Sequence, residues 1–245
     1  LYPGAAAAYS FRLLDTNYTG SAIRVRRADD NEESDIGFRT GAGSKILDTT
    51  TLEAFSLGGD CFVTTWYDQS GNANDMSESA DEGQPKIVSN GSYLGYIDFN
   101  GVVRTLNSPF EMVYQNQFSS FIVAQSPEEE RAVLLGAKEN GFDYWNVLDS
   151  NTSSSFSGSM QSVTSYVNGS SIDTTRGALN ESITSFALIS TLAQYNTYAE
   201  PQYKLRFGYT SSSWHNFKCK EMVHYNNQSV ERTAVEQNIT TYYGF

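Results

Sequence analysis

The chain has little histidine, little cysteine and little basic charge, and each scarcity closes off a class of function. With 2 His and 2 Cys in 245 residues and no CxxC spacing, a zinc site has nothing to be built from. Lys and Arg number 16 against 28 Asp and Glu, for a net charge of −12. A nucleic-acid interface needs a basic face, so nucleic acid is not expected as a partner. No apolar run approaches the roughly 18–20 residues of a membrane span, so no membrane partner is expected either. The chain opens Leu1-Tyr2-Pro3, without Met and without the basic and apolar regions of a signal peptide. The expectation is a processed chain or a piece of a longer one. Gly41-Ala42-Gly43 precedes no helix of the kind that cradles phosphate, and His215 and His224 fit no Ser/His/Asp spacing.

What is abundant is aromatic and small polar. Tyr (16) and Phe (14) are numerous and Ser, Thr, Asn and Gly fill the spaces between them, as suits many short strands joined by polar turns. A chain of this length buries roughly 70–75% of its unfolded surface, so it folds without a metal or disulfide staple. Strands are read at 23–27, 62–67, 85–88, 96–99, 118–124, 132–137, 144–148, 166–169, 186–191, 204–208 and 218–225. The 118–124 run is nearly continuous in apolar residues, as in a strand buried on both faces. Pro3-Gly4 followed by four alanines reads as a helix start, and 49–55 as a short helix. A last helix is read with Ser229 as cap and Val230, Ala234, Val235, Ile239 and Tyr242 on one face. No repeat or linker interrupts the pattern, so 1–245 reads as one all-β domain. Cys61 and Cys219 each sit at a strand. They form a disulfide closing a long loop, or stand as two buried thiols; both readings are open.

Two blocks carry a resemblance. The first runs from Ala8 through Tyr9, Arg12, Tyr18, Gly20, Arg24, Arg26, Arg27, Asp35 and Ile36, and the second is Trp66-Tyr67-Asp68-Gln69-Ser70-Gly71-Asn72. Together they resemble the start of the catalytic-type domain of family 54 α-L-arabinofuranosidases, and also the opening of lectin-like modules of surface and phage virion proteins. Ile97-Asp98-Phe99-Asn100-Gly101 and the closing His224-Tyr225-Asn226 before a helix resemble lectin-like modules again. The resemblance implies a concanavalin A-like antiparallel β-sandwich, or jelly roll, with short helices near both chain ends. The family's adjacent-cysteine feature has no counterpart, since Cys61 and Cys219 are isolated.

Candidate site residues follow from chemistry. Retaining glycoside hydrolysis needs two carboxyls about 5–5.5 Å apart. Asp143, flanked by aromatics in Gly141-Phe142-Asp143-Tyr144-Trp145, is the most suggestive acid, with Asp149, Glu181 and Glu221 behind it. Glycan binding is assigned to Asp68, Gln69, Asn72, Trp145, Tyr209 and Trp214, the aromatics stacking on sugar faces and the polar groups fixing hydroxyls. Asp68 and Asp75 double as oxygen ligands for a structural Ca²⁺. The competing reading of this loop is that Asp68 and Asn72 cap their own turn. No other cofactor is expected. The Arg24, Arg26, Arg27 cluster is read as paired with the acidic run 29–35. Asn-x-Ser/Thr glycosylation sites occur at Asn17, Asn90, Asn151, Asn168, Asn180, Asn227 and Asn238.

The function expected from these observations is a non-catalytic glycan-binding or assembly module of an extracellular, filament or virion-surface protein. Carbohydrate is its ligand, and self-association or a parent scaffold uses Trp214, Tyr209 and the segment near Phe156. The alternatives are a retaining α-L-arabinofuranosidase and a purely structural fibre or shell subunit. The first reading expects little hydrolysis of nitrophenyl α-L-arabinofuranoside.

Overall fold

Sixteen strands frame the described part of the chain. The computed structural model describes residues 2–39, 45–99, 104–112, 117–126, 132–136, 144–148, 152–156, 160–195, 203–208, 216–227 and 231–245. In chain order the strands are β1 (Ala7–Ser10), β2 (Ile23–Arg27), β3 (Glu33–Ile36), β4 (Cys61–Trp66), β5 (Met76–Ser77), β6 (Lys86–Ser89), β7 (Ser92–Asp98), β8 (Leu106–Met112), β9 (Gln117–Gln125), β10 (Ala132–Gly136), β11 (Tyr144–Leu148), β12 (Met160–Val167), β13 (Ser170–Ile172), β14 (Ala187–Tyr195), β15 (Tyr203–Phe207) and β16 (Lys218–Tyr225). Three α-helices accompany them: α1 (Thr49–Ser56), α2 (Arg176–Ser182) and α3 (Arg232–Tyr243). Every pairing is antiparallel.

Hydrogen bonding links the strands in the order β11-β10-β15-β8-β5-β4-β6-β7-β16-β9-β14-β12-β13, with β1 added to β16 and the β2–β3 hairpin added to β4. The path folds back on itself into a sandwich. Trp66 of β4 packs its ring against Tyr9 of β1 at 5.7 Å, Phe11 at 5.5 Å and Phe207 of β15 at 6.4 Å, so strands distant along the path face each other across one core. Cys61, Val63, Trp66, Phe118, Ile122, Ile189, Leu205, Phe207 and Met222 all belong to that core.

The period-two alternation of β9 explains a second apolar layer. Phe118, Ile122 and Ala124 point into the main core, while Phe121 and Val123 point the other way, against Leu188, Val223, Val235 and Ile239. Helix α3 therefore covers this outer face with Val235 and Ile239, while Ala234 and Tyr242 of the expected stripe are exposed and Val230 lies outside the described residues. Its cap is Glu231, not Ser229, which lies outside the described residues.

Two expectations are corrected. The Pro3–Ala8 segment is not a helix: residues 3–4 turn and β1 begins at Ala7. Alanine's helix propensity is worth only tenths of a kcal/mol per residue, less than the ladder that β1 gains on β16, where Tyr9 lies opposite Met222. The disulfide also does not exist. Cys61 and Cys219 are both free and buried. Strands β6 and β7 intervene between β4 and β16, and three strand spacings of about 4.8 Å set the cysteines roughly 14 Å apart along the sheet, far beyond disulfide reach. Burial pushes the Cys61 thiol up to about 11 and the Cys219 thiol higher still.

Candidate functional site

The loop after β4 is a clamp. Asp68 is buried, and its Oδ1 accepts from the backbone N–H of Ala8 at 2.8 Å and of Ser70 at 2.9 Å; its Oδ2 accepts from Ser70 Oγ at 2.7 Å and Asn74 N–H at 3.0 Å. Gln69 accepts from Leu14 N–H at 2.8 Å and donates to the carbonyls of Ser10 and Arg12. Asn72 donates to the carbonyls of Ala5 and Ala6, and Asn74 to that of Ala6. The turn-capping reading thus describes part of this loop, and the larger part is a lock on the segment from Ala5 to Leu14. Asp68 and Gln69 are buried and direct these bonds to the protein itself, and the exposed Asn72 anchors its amide nitrogen on the same segment. N–H donors aimed at both Asp68 oxygens also occupy the positions a Ca²⁺ would need. Asp75 accepts from Asp68 N–H at 2.8 Å, and burial raises its pKa. Among the described residues no group of three or more His, Cys, Asp or Glu side chains is placed to hold a metal. Replacing Asp68 with Ala strands the buried Ala8 amide and removes charge-assisted bonds; a loss of about 3 kcal/mol and a Tm lower by roughly 10 °C are expected by thermal melting.

Glu221 sits in a second buried network. It is fully buried on β16, with Arg12 Nε on Oε2 at 2.7 Å and Arg12 Nη2 on Oε1 at 2.8 Å. Ser10 Oγ at 2.7 Å and Tyr243 OH at 3.1 Å complete Oε2, and Tyr2 OH lies 3.0 Å from Oε1. Arg12 also donates to Asn238 Oδ1 at 2.9 Å, and its guanidinium lies 4.4 Å from the centre of the Tyr242 ring. This carboxylate joins the two ends of the chain and has no open face toward solvent.

The other candidate acids are Asp143, Asp149 and Glu181. Asp143 and Asp149 immediately precede and follow β11 and lie outside the described residues. Helix α2 packs on β11 and carries Glu181, which is exposed. Beyond Asp149 the chain reaches Ser154, which bridges to Thr175, the residue capping α2 through its Oγ1. Trp145 lies on β11 opposite Leu135. The strand, the 152–156 segment and α2 thus lie together at one end of the sheet path.

The remaining expectations sort by exposure. Tyr209, Trp214 and Asn151 lie outside the described residues. Phe156 itself is a core residue at 7% exposure, while Ser153 and Ser154 in the segment expected to make contacts are exposed. Asn17, Asn90, Asn168 and Asn227 are exposed, Asn238 is half-buried against Arg12, and Asn180 is buried within α2, where a glycan has no room. Arg24 pairs with Glu33 at 2.6 Å and Asp35 at 3.1 Å, and Arg27 with Asp30 at 2.5 Å, as expected. Arg26 instead reaches Gln84 at 2.7 Å and Asp81 at 3.3 Å. The Arg12–Glu221 pairing is absent from the sequence reading, since nothing local marks partners 209 positions apart.

Residues 2–178 match the model of the family described as Alpha-L-arabinofuranosidase B, catalytic. Among curated proteins, the probable alpha-L-arabinofuranosidase B of Aspergillus flavus is 32% identical over 162 residues, covering 61% of this chain and 31% of its own length. Alpha-L-arabinofuranosidase B of Aspergillus oryzae is 31% identical over the same span. The chain thus spans about a third of the length of these relatives. Among solved structures, an arabinofuranosidase complexed with arabinofuranosyl-alpha-1,2-xylobiose superposes with a TM-score of 0.65 at 15% identity, covering 96% of this chain and 62% of that one. A GH54 α-L-arabinofuranosidase soaked with a cyclic sulfate inhibitor gives 0.58 with the same coverage. At such identity these likenesses establish the sandwich fold. The family match overturns the expectation of a non-catalytic glycan-binding or assembly module, because the matched model is that of the family's catalytic domain. The isolated cysteines weighed against the enzyme reading, yet a single missing local feature counts for less than similarity over 177 consecutive positions. With most of its length matched, the chain belongs to the α-L-arabinofuranosidase B catalytic family.

Proposed function

We propose that this chain is the catalytic unit of a retaining α-L-arabinofuranosidase that releases arabinofuranosyl groups from a larger saccharide outside the cell. The family match over residues 2–178 carries this reading. In a retaining reaction one carboxylate attacks the anomeric carbon while a carboxylic acid protonates the departing glycosidic oxygen. Water, deprotonated by that second group, then attacks the covalent glycosyl-enzyme and frees the sugar. The two carboxyls are assigned to two of Asp143, Asp149 and Glu181. Glu221, sealed in its ion pair with Arg12, is assigned to stability. The matched stretch includes both aspartates and ends before Glu181 and Glu221, which favours Asp143 and Asp149 as family positions. Glu181 is kept as a candidate because its helix, α2, packs on β11.

The test is hydrolysis of 4-nitrophenyl α-L-arabinofuranoside by the chain and by Asp143→Asn, Asp149→Asn and Glu181→Gln. Two of the three variants are expected to lose about 10²–10⁴-fold in kcat, and the third to stay within a few-fold. Azide is expected to restore turnover to the Ala variant of the nucleophile alone, because it replaces the missing attacking group. Absence of turnover by the parent chain, or full activity in all three variants, refutes the assignment.

A further inference from the structure

We propose that the cleft bounded by β7, the 46–49 segment and the C-terminal end of α3 is a second carbohydrate site, one that takes a saccharide carrying a uronic-acid residue. The cleft has a volume of about 320 Å³, at the lower end of the roughly 300–1,000 Å³ typical of small-molecule sites. Its floor is apolar, made by Phe11 and Leu47, and its walls are the rings of Tyr93, Tyr242 and Tyr243. Gly95 lines it at φ +81°, and a Cβ built there would meet nothing within 4 Å. The backbone of β7 therefore faces open space, and a ring can lie close against it.

Two features select the chemistry. The phenol hydroxyls of Tyr93 and Tyr242 make no hydrogen bond within the described residues, although Tyr93 is only partly exposed and Tyr242 is 41% exposed. Aromatic faces with free hydroxyls at their edges suit sugar rings, whose C–H faces stack and whose hydroxyls need partners. The second feature is Lys220, whose ammonium lies 3.9 Å from the Phe186 ring centre and 5.8 Å from that of Tyr243. No carboxylate pairs with it among the described residues. Nearby acids are already engaged: Glu53 accepts from the Tyr93 N–H, Asp48 caps α1 through Thr51, and Glu221 is neutralised by Arg12. Burial lowers the Lys220 pKa, a penalty that an incoming carboxylate removes. On the facing lip, Thr49 is hydrogen-bonded by the exposed Arg39, which adds positive charge to an otherwise acidic chain. A neutral sugar would use the rings and leave Lys220 unanswered; a uronate uses both.

No residue of β11 or α2 lines this cleft. The test is an NMR titration of the whole chain with methyl β-D-glucuronide and, in parallel, with neutral methyl β-D-glucoside. The glucuronide is expected to saturate with Kd on the order of 1 mM and the glucoside to bind at least about 10-fold more weakly. Lys220→Met is expected to erase the difference, Lys220→Arg to keep it, and Tyr242→Ala to weaken both sugars by about 10-fold. Hydrolysis of 4-nitrophenyl α-L-arabinofuranoside is expected to be unchanged in all three variants, which separates this proposal from the catalytic one. Equal affinity for the two sugars, no saturable glucuronide binding, or a preference that survives Lys220→Met overturns it.

Discussion

Lowering the pH from 6.5 toward 3 is expected to remove on the order of 4–5 kcal/mol of stability through His224 alone. This imidazole is fully buried on β16, stacked on Phe118 at 5.5 Å and edge-on to Phe110 at 5.7 Å. Burial among these rings disfavours the cation and drops the pKa from 6.5 to about 3, a hydrogen bond with Asn226 offsetting a small part. Unfolded chain takes up a proton near pH 6.5, whereas the native state keeps the neutral ring until about pH 3. Between those values the unfolded state binds more protons, so stability is complete above pH 6.5 and declines as pH falls. By pH 4 the loss is roughly 3 kcal/mol. Urea midpoints at pH 7, 5 and 4 measure it, and His224→Phe, which keeps an aromatic ring between Phe110 and Phe118, is expected to flatten the profile by that amount. Carboxylates such as Asp60, held below the ordinary range by Lys86, contribute equally to both proteins and cancel in the comparison. Parallel profiles for parent and variant would falsify the role given to His224.

The second large effect is expected at the Arg12–Glu221 pair. Glu221→Gln leaves a buried guanidinium without its counter-ion, and breaking a buried pair from one side costs about 3–5 kcal/mol. In a chain of this size that corresponds to a Tm fall of roughly 10 °C. Removing both charges is a different matter. Arg12→Met with Glu221→Leu restores apolar contact and leaves no orphaned charge, so the double variant is expected to recover most of the loss. Its polar remainder, Tyr2, Ser10, Tyr243 and Asn238, keeps partners among its own members or reaches solvent near α3. A double variant as unstable as the sum of the singles would mean that the two residues act separately.

Local rules made some of this fold readable and left the rest hidden. β2 and β16 were read at their observed limits because alternation with turn residues at both ends has few other solutions. β9, buried on both sides, was legible as an unbroken apolar run. The N-terminal segment misled because its alanines speak for a helix only while the partner strand, more than 200 residues away, is ignored. β3 hid within an acidic stretch, since its Glu33 and Asp35 face Arg26 and Arg24 rather than a core. Asp143, Asp149 and Glu181 were named from composition and neighbours, and the packing of α2, which carries Glu181, on β11 is tertiary and has no local sign. Glu221 looked equivalent to them in the sequence; only its burial beside Arg12 separates a structural carboxylate from an available one.

The position of β16 has a consequence for how this chain is made. Among the described strands β1 pairs with β16 alone, and β7 and β9 flank β16 on its two edges. On the ribosome, Ala7–Ser10 emerges early and finds no ladder until residues 218–225 follow. Such distant pairing makes for slow folding, and during that wait two long hydrogen-bonding edges and the apolar face of β9 are open to other chains. A synthesis pause before residue 218 therefore yields a sticky intermediate missing the strand that joins its halves. A pause after residue 225 yields one whose ladders are complete and whose outer face merely lacks its covering helix.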